Sequence, residues 1–101
     1  MAYERVMGLE VIDDRVYQQY RDAMAPILKS YGGAFGFDFR VSEVLLSKTQ
    51  DPINRLFTIA FPSQKHMEAF FSNADYLAVK AMYFDTSVKS KTIISLYEVD
   101  V

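Results

Sequence analysis

Hydrophobic periodicity predicts an α+β domain with the element order strand, helix, strand, strand, helix, strand. Three observations carry this. Four segments alternate apolar and mixed residues with a period of two. Two segments repeat apolar residues every three or four positions. Two boundary sequences, Tyr31-Gly32-Gly33 and Phe61-Pro62-Ser63, stand where one regular element hands over to another.

Residues 3–12 read as the first strand, with Met7, Leu9 and Val11 on one face and Val6, Gly8 and Glu10 on the other. Asp13 and Asp14 then offer a capping oxygen and the negative charge that a helix N-terminus favours. Val16, Tyr17, Tyr20, Met24, Ile27, Leu28 and Tyr31 form one apolar stripe of that helix. Pro26 lies inside it and removes the hydrogen bond to the Asp22 carbonyl, which predicts a kink rather than an end. Gly32-Gly33 stops the helix, with one glycine in the left-handed conformation.

A long second strand is expected over 34–47. Phe35, Phe37, Phe39 and Val41 share one face, and Gly36, Asp38, Arg40 and Ser42 the other. The alternation slips at Val44-Leu45-Leu46, which suggests a bulge or a stretch buried on both faces. Thr49-Gln50-Asp51-Pro52 is turn chemistry, and 54–61 is a third strand with Phe57, Ile59 and Phe61 on one face. Ser63 caps a short helix with Met67, Phe70 and Phe71 inward. Ser72 or Asn73 restarts it, and Tyr76, Leu77, Val79 and Met82 or Tyr83 follow. The last strand is expected at 93–99. Phe57, Ile59 and Phe61 are expected to pack under Met24, Ile27, Leu28 and Phe70.

This order is that of a ferredoxin-like fold, a four-stranded antiparallel sheet with both helices on one face. The whole chain, 1–101, is read as one such domain. Two helices cover only one sheet face. The other carries Val6, Leu56 and Ala60 among charges, and a second copy packed face to face would cover it, burying ~800 Å² per partner. A homodimer is therefore expected.

Composition narrows the function classes. Half the residues are hydrophobic and 15% aromatic, which excludes a disordered chain. Eleven basic and thirteen acidic residues are scattered, with net charge −2 and no basic stripe, which argues against nucleic acid as a partner. The apolar runs are far short of the roughly 20 residues needed to span a bilayer, and Met1-Ala2-Tyr3-Glu4-Arg5 has no apolar signal core. There is no cysteine, which excludes disulfides and thiolate chemistry and points to a cytoplasmic location.

Asp13 with Tyr17 and Tyr20, Ala25-Pro26, Tyr31-Gly32-Gly33, Glu43-Val44-Leu45, Phe61-Pro62-Ser63, Ser72, Asp75-Tyr76, Lys80 and Glu98 occur in the order and spacing of a known family. In these the chain resembles the domain-of-unknown-function 1330 family of the dimeric α/β-barrel superfamily, over about residues 5–99. The resemblance implies a ferredoxin-like protomer whose sheet packs on that of a second copy around a barrel-like cleft. Superfamily relatives include cofactor-independent monooxygenases, muconolactone-isomerase-like enzymes, haem-dependent enzymes and stress-response proteins, so the fold does not fix the chemistry. Where many relatives carry an Arg-Gly-Gly run in the second strand, this chain has Asp38-Phe39-Arg40.

Glu10, Asp38 and Arg40 are the candidate ligand-binding residues. Alternation sets all three off the phenylalanine face, toward the expected cleft. A carboxylate beside a guanidinium there could hold an acidic ligand or serve as a general base. The structural alternative, an ion pair that fixes dimer register or simple solvent exposure, carries the greater weight. His66, the sole histidine, is expected on the surface, and a zinc site is improbable. The helix tyrosines Tyr17, Tyr20, Tyr31, Tyr76 and Tyr83 are expected to pack, each hydroxyl reaching a polar partner. Gly32-Gly33 follows a helix and is no phosphate loop, and no serine has a nucleophile-elbow context. The sequence thus supports a small cytoplasmic homodimer that binds a small, mostly apolar ligand in the inter-sheet cleft, with no cofactor or metal. The alternative is a cofactor-free enzyme, monooxygenase- or isomerase-like, acting on a small aromatic or lactone-like substrate. In that reading Glu10 or Asp38 is the base and Arg40 the anion stabiliser.

Overall fold

The computed structural model describes residues 2–100. The chain runs β1 (Ala2–Val11), α1 (Asp14–Ser30), β2 (Ala34–Arg40), β3 (Arg55–Phe61), α2 (Gln64–Ser72) and α3 (Ala74–Val79). A π-helical turn (Lys80–Phe84), the short α4 (Asp85–Ser87) and β4 (Val88–Val99) complete it. The sheet order is β2-β3-β1-β4, with every neighbouring pair antiparallel. This is the ferredoxin-like arrangement the patterning predicts.

Helices α1, α2 and α3 each begin on a capping side chain. Asp13 Oδ1 accepts the Val16 N–H at 3.1 Å, Ser63 Oγ the His66 N–H at 3.2 Å, and Asn73 Oδ1 the Tyr76 N–H at 2.9 Å. Asn73 also follows α2 directly, so one residue ends that helix and starts the next. Helix α1 continues through Pro26 to Ser30. It closes in a Schellman motif: the Gly33 N–H donates to the Leu28 carbonyl and the Gly32 N–H to the Lys29 carbonyl, each at 2.9 Å, with Gly32 at φ +72°.

The core lies between the helices and one sheet face. Met7, Leu9, Phe57, Ile59 and Phe61 of the sheet pack against Tyr17, Tyr20, Met24, Leu28, Met67, Phe70 and Tyr76, all buried. Ile27 joins at the margin. Phe61, 1% exposed, has ring neighbours at Phe70 (5.6 Å) and Phe71 (5.8 Å).

The structure corrects three expectations from the sequence. The second strand stops at Arg40 instead of Ser47, and 41–54 is an irregular loop in which Leu45 and Leu46 are 88% and 93% exposed. A longer strand would need a partner running back from residue 54. That stretch contains Pro52, and Asn54 is shared: its carbonyl accepts the Val41 N–H, but its backbone N–H donates to the Leu9 carbonyl of β1, its Oδ1 accepts the Val11 N–H and its Nδ2 donates to the Val11 carbonyl, all at 2.8 Å. The fourth strand starts at Val88, five residues before Ile93.

The third correction concerns faces. Phe35 lies opposite Ile59 but Asp38 opposite Phe57, so Gly36 and Phe37 share the span across from Thr58 as a bulge. The Phe37 N–H donates to Thr58 Oγ1 at 2.8 Å instead of to a backbone carbonyl. A Cβ on Gly36 would come within 2.6 Å of that same oxygen, which is why a glycine fits here. Past the bulge the strand has changed phase. Phe35 faces the helices, whereas Phe37 and Phe39 stack on the open face at 5.8 Å, 63% and 52% exposed. Asp38 and Arg40 turn to the helix side.

Phe61→Ala is expected to cost about 3–5 kcal/mol of unfolding free energy in a denaturant titration, because the ring is enclosed and the site cannot collapse around an alanine. A loss below about 1 kcal/mol would contradict this packing.

Candidate functional site

Between the helix layer and the sheet lies a cavity of about 520 Å³, in the size range of small-molecule pockets. Strands supply its floor through Met7, Phe57 and Ile59; α1 gives one wall through Tyr17, Tyr20 and Arg21; and α2, α3 and the π turn give the other through Phe71, Tyr76 and Phe84. Its walls are thus largely aromatic, with two guanidinium groups, Arg5 and Arg21, set among the rings.

Arg21 stands on α1 one turn after Tyr17, so its Nε donates to the Tyr17 hydroxyl at 2.8 Å. Its guanidinium lies 3.9 Å above the Phe35 ring and 4.8 Å from that of Phe57. Nη1 reaches Asp38 Oδ2 at 3.3 Å, and Arg55 closes on the same carboxylate in a fork, Nε to Oδ1 and Nη2 to Oδ2, both at 2.8 Å. The fork from Arg55, helped by the charge of Arg21, holds the Asp38 carboxyl below its ordinary range against the opposing effect of burial.

Arg5 reaches the cavity from β1. It pairs with Ile59 and so shares the phase of Met7 and Leu9, with its guanidinium 4.6 Å over the Phe71 ring. Burial lowers its pKa; the Tyr76 and Tyr3 phenols act in the opposite direction. Among the described residues, Arg5 Nε and Arg21 Nη2 are buried with no hydrogen-bond partner. Deeper still, the Tyr20 and Tyr76 hydroxyls meet at 2.9 Å, and burial pushes both phenols, and that of Tyr17, above their ordinary pKa. All three remain protonated donors across the working pH range.

The three candidates chosen from the sequence do not form one constellation. Glu10 is on the open face, where the Ser90 hydroxyl donates to its Oε1 at 3.4 Å. Asp38 is on the helix side within the arginine clamp, and Arg40 lies exposed across from Arg55. The shared face assumed for them fails because the Gly36-Phe37 bulge inverts the phase of β2. His66 is exposed, its Nδ1 2.7 Å from Ser63 Oγ. The buried tyrosines meet polar partners as expected, and Tyr31 adds an acceptor for Asn73 Nδ2 at 3.0 Å. Arg5 and Arg21 did not stand out in the sequence. The available signal was a cation in phase with the apolar residues of β1, and another one helical turn from a core tyrosine.

A second cavity, of about 790 Å³, lies on the open face under the 41–54 loop, with Val44, Leu45, Leu46, Ile53, Leu56 and Ile94 around it. Among the described residues no cluster of three or more His, Asp or Glu is placed to hold a metal, and no helix is long and apolar enough to cross a membrane.

The Asp38 clamp has a pH signature. A carboxyl whose folded pKa is depressed adds stability that is complete above its unfolded value, about 4, and is lost as pH falls through the folded value. The stability difference between the wild type and Asp38→Asn is therefore expected to be constant above about pH 5 and to shrink steadily below about pH 4. Parallel denaturation curves across that range check this. A difference unchanged down to pH 2 would show that the clamp carries no such energy.

Similar proteins agree with this architecture. A protein of unknown function from Rhodopseudomonas palustris, RPA0582, superposes with a TM-score of 0.82 at 12% identity, over 99% of this chain and 84% of that one. A dabb family protein with a ferredoxin-like fold from Mesorhizobium loti gives 0.68 at 12% identity, over 99% and 98%. A dimeric protein of unknown function and ferredoxin-like fold from Bacteroides fragilis gives 0.65 at 11% identity, over 97% and 96%. At these identities the likeness shows the fold alone. No curated protein matches the chain in sequence. The family described as domain of unknown function DUF1330 matches residues 2–97, and this chain belongs to it.

Proposed function

We propose that this protein is a cytoplasmic homodimer that binds a small, mostly apolar ligand in the helix-side cavity of each protomer. The observation that carries the ligand reading is the cavity itself, aromatic on floor and walls and furnished with fixed polar groups. Such a lining suits a small ring-bearing molecule held by a few oriented contacts. In this reading the ligand lies within the protomer, and the inter-sheet side is left to the partner. Asp38 keeps a positioning role, since it holds Arg21 against the cavity wall; Glu10 and Arg40 have no part in this site.

The dimer reading rests on the open face. Phe37, Phe39, Leu56 and Val6 lie on one side of the sheet, and no helix of the described residues covers them. Leu45 and Leu46 project beside that face almost fully exposed. A contiguous apolar surface of this kind is unusual on a monomer, and the Bacteroides fragilis relative with the same fold is dimeric.

The enzymatic alternative is less well supported. Among the described residues the one carboxylate in the cavity lining is Glu68, which is exposed, and Asp38 is engaged by two arginines. An Asp38 carboxylate held in this way is not a free general base.

Light scattering at tens of micromolar should give about twice 11.6 kDa, and Phe39→Glu should return the monomer mass by setting a charge in the dimer interface. A wild type that stays monomeric would refute the dimer. For the ligand site, 2-naphthamide is a suitable neutral aromatic probe. Calorimetric titration should show binding to the wild type and about tenfold weaker binding to Leu77→Trp, which places an indole in the cavity lining. Binding untouched by Leu77→Trp would refute the site.

A further inference from the structure

We propose that the helix-side cavity is built for an anion, so that its ligand is a small aromatic carboxylate or phenolate. This rests on the reading of the cavity as a ligand site and goes beyond it by fixing the chemical class.

The first argument is charge. Among the described residues four cationic side chains line the cavity, Arg5, Arg21, Lys80 and Lys91, against the single carboxylate of Glu68. Two of the cations have ion-pair partners: Lys80 has Asp85 at 2.8 Å, and Arg21 shares Asp38, at 3.3 Å, with the closer Arg55 fork. Arg5 and Lys91 have no ion-pair partner among the described residues. Arg5 is the more telling of the two, because it is half-buried and burial already disfavours its charge. An unpaired, partly desolvated guanidinium gains most from an anion brought to it.

The second argument is the balance of donors and acceptors. Tyr20 and Tyr76 are paired with each other, but two hydroxyls sharing one bond leave one O–H proton to place elsewhere. The Tyr17 hydroxyl is engaged as an acceptor from Arg21, so its own proton is likewise uncommitted among the described residues. The guanidiniums add further N–H groups, two of them buried and unpartnered. Beside these donors the lining offers few acceptors, chiefly Glu68 and the Ser72 hydroxyl, both in exposed residues. A ligand rich in acceptor oxygens restores the balance; one rich in donors worsens it.

The aromatic walls supply the remainder of the recognition. Phe71 lies beneath Arg5, and Phe35 and Phe57 beneath Arg21, so each cation is backed by a ring face. A planar ring carrying one carboxylate or phenolate oxygen fits this pairing of ring faces and cations.

The test compares 2-naphthoate with 2-naphthamide, which share a shape and differ in charge. On the wild-type protein the carboxylate is expected to bind at least about tenfold more tightly, as a charge-assisted hydrogen bond allows. That preference should shrink as sodium chloride is raised from 50 to 500 mM. Arg5→Gln should remove most of it while binding of the amide is retained; should that variant fail to fold, Lys91→Gln takes its place with a smaller loss. Equal binding of the two probes, or a preference insensitive to both salt and substitution, overturns the anion assignment and leaves the ligand site standing. Binding of neither probe overturns both.

Discussion

The hydrogen bond from the Phe37 N–H to Thr58 Oγ1 governs the arrangement of both sheet faces. A hydroxyl on β3 stands in for a carbonyl of the ladder, and β2 inserts a residue to meet it. Because side chains alternate with a period of two, that insertion exchanges the faces of every residue that follows. Phe37 and Phe39 are sent to the open face, where they enlarge an apolar surface. Asp38 is sent to the helix side, where Arg21 and Arg55 close on it and join β2, β3 and α1. The helix-side cavity and the open face therefore owe their character to the same local event.

Much of the fold was legible in the sequence because it follows from patterns with strong physical periods. The α1 stripe, the Asp13 and Ser63 caps and the Gly32-Gly33 stop specify their own positions through local chemistry alone. The phase of β2 was not legible, since Gly36 signals a bulge only when Thr58, 22 residues later, is known to lie across from it. The end of β2 was likewise fixed from a distance. Asn54 gives its backbone N–H and its side-chain amide to β1, and that choice is invisible to alternation within residues 34–47.

The same reasoning explains why Glu10, Asp38 and Arg40 do not share the face that alternation assigns them. Glu10 and Asp38 looked like neighbours because uniform alternation was carried across a glycine that interrupts it. Arg5 and Arg21 do not stand out in the sequence because a single cation in an apolar pattern resembles a surface residue with a long stem. Their surroundings are supplied by tertiary packing: Phe71 comes from α2 and Phe35 from β2, each far from its arginine in sequence. The sheet thus presents two faces of different chemistry, one aromatic and cationic under the helices, the other aliphatic and aromatic with the β1 carboxylates Glu4 and Glu10 among the apolar groups. On this account the first is for a ligand and the second for another copy of the chain.

That division can be measured directly by NMR, following the protein's resonances once during dilution and once during titration with 2-naphthoate. The account predicts two separate sets of perturbed residues. Dilution should move Phe37, Phe39 and Leu45 on the open side, whereas the ligand should move Arg5, Phe71 and Leu77 around the helix-side cavity. If dilution and ligand perturb one common set centred on Phe37 and Phe39, ligand and partner share the open face, and the assignment of separate roles to the two faces is wrong.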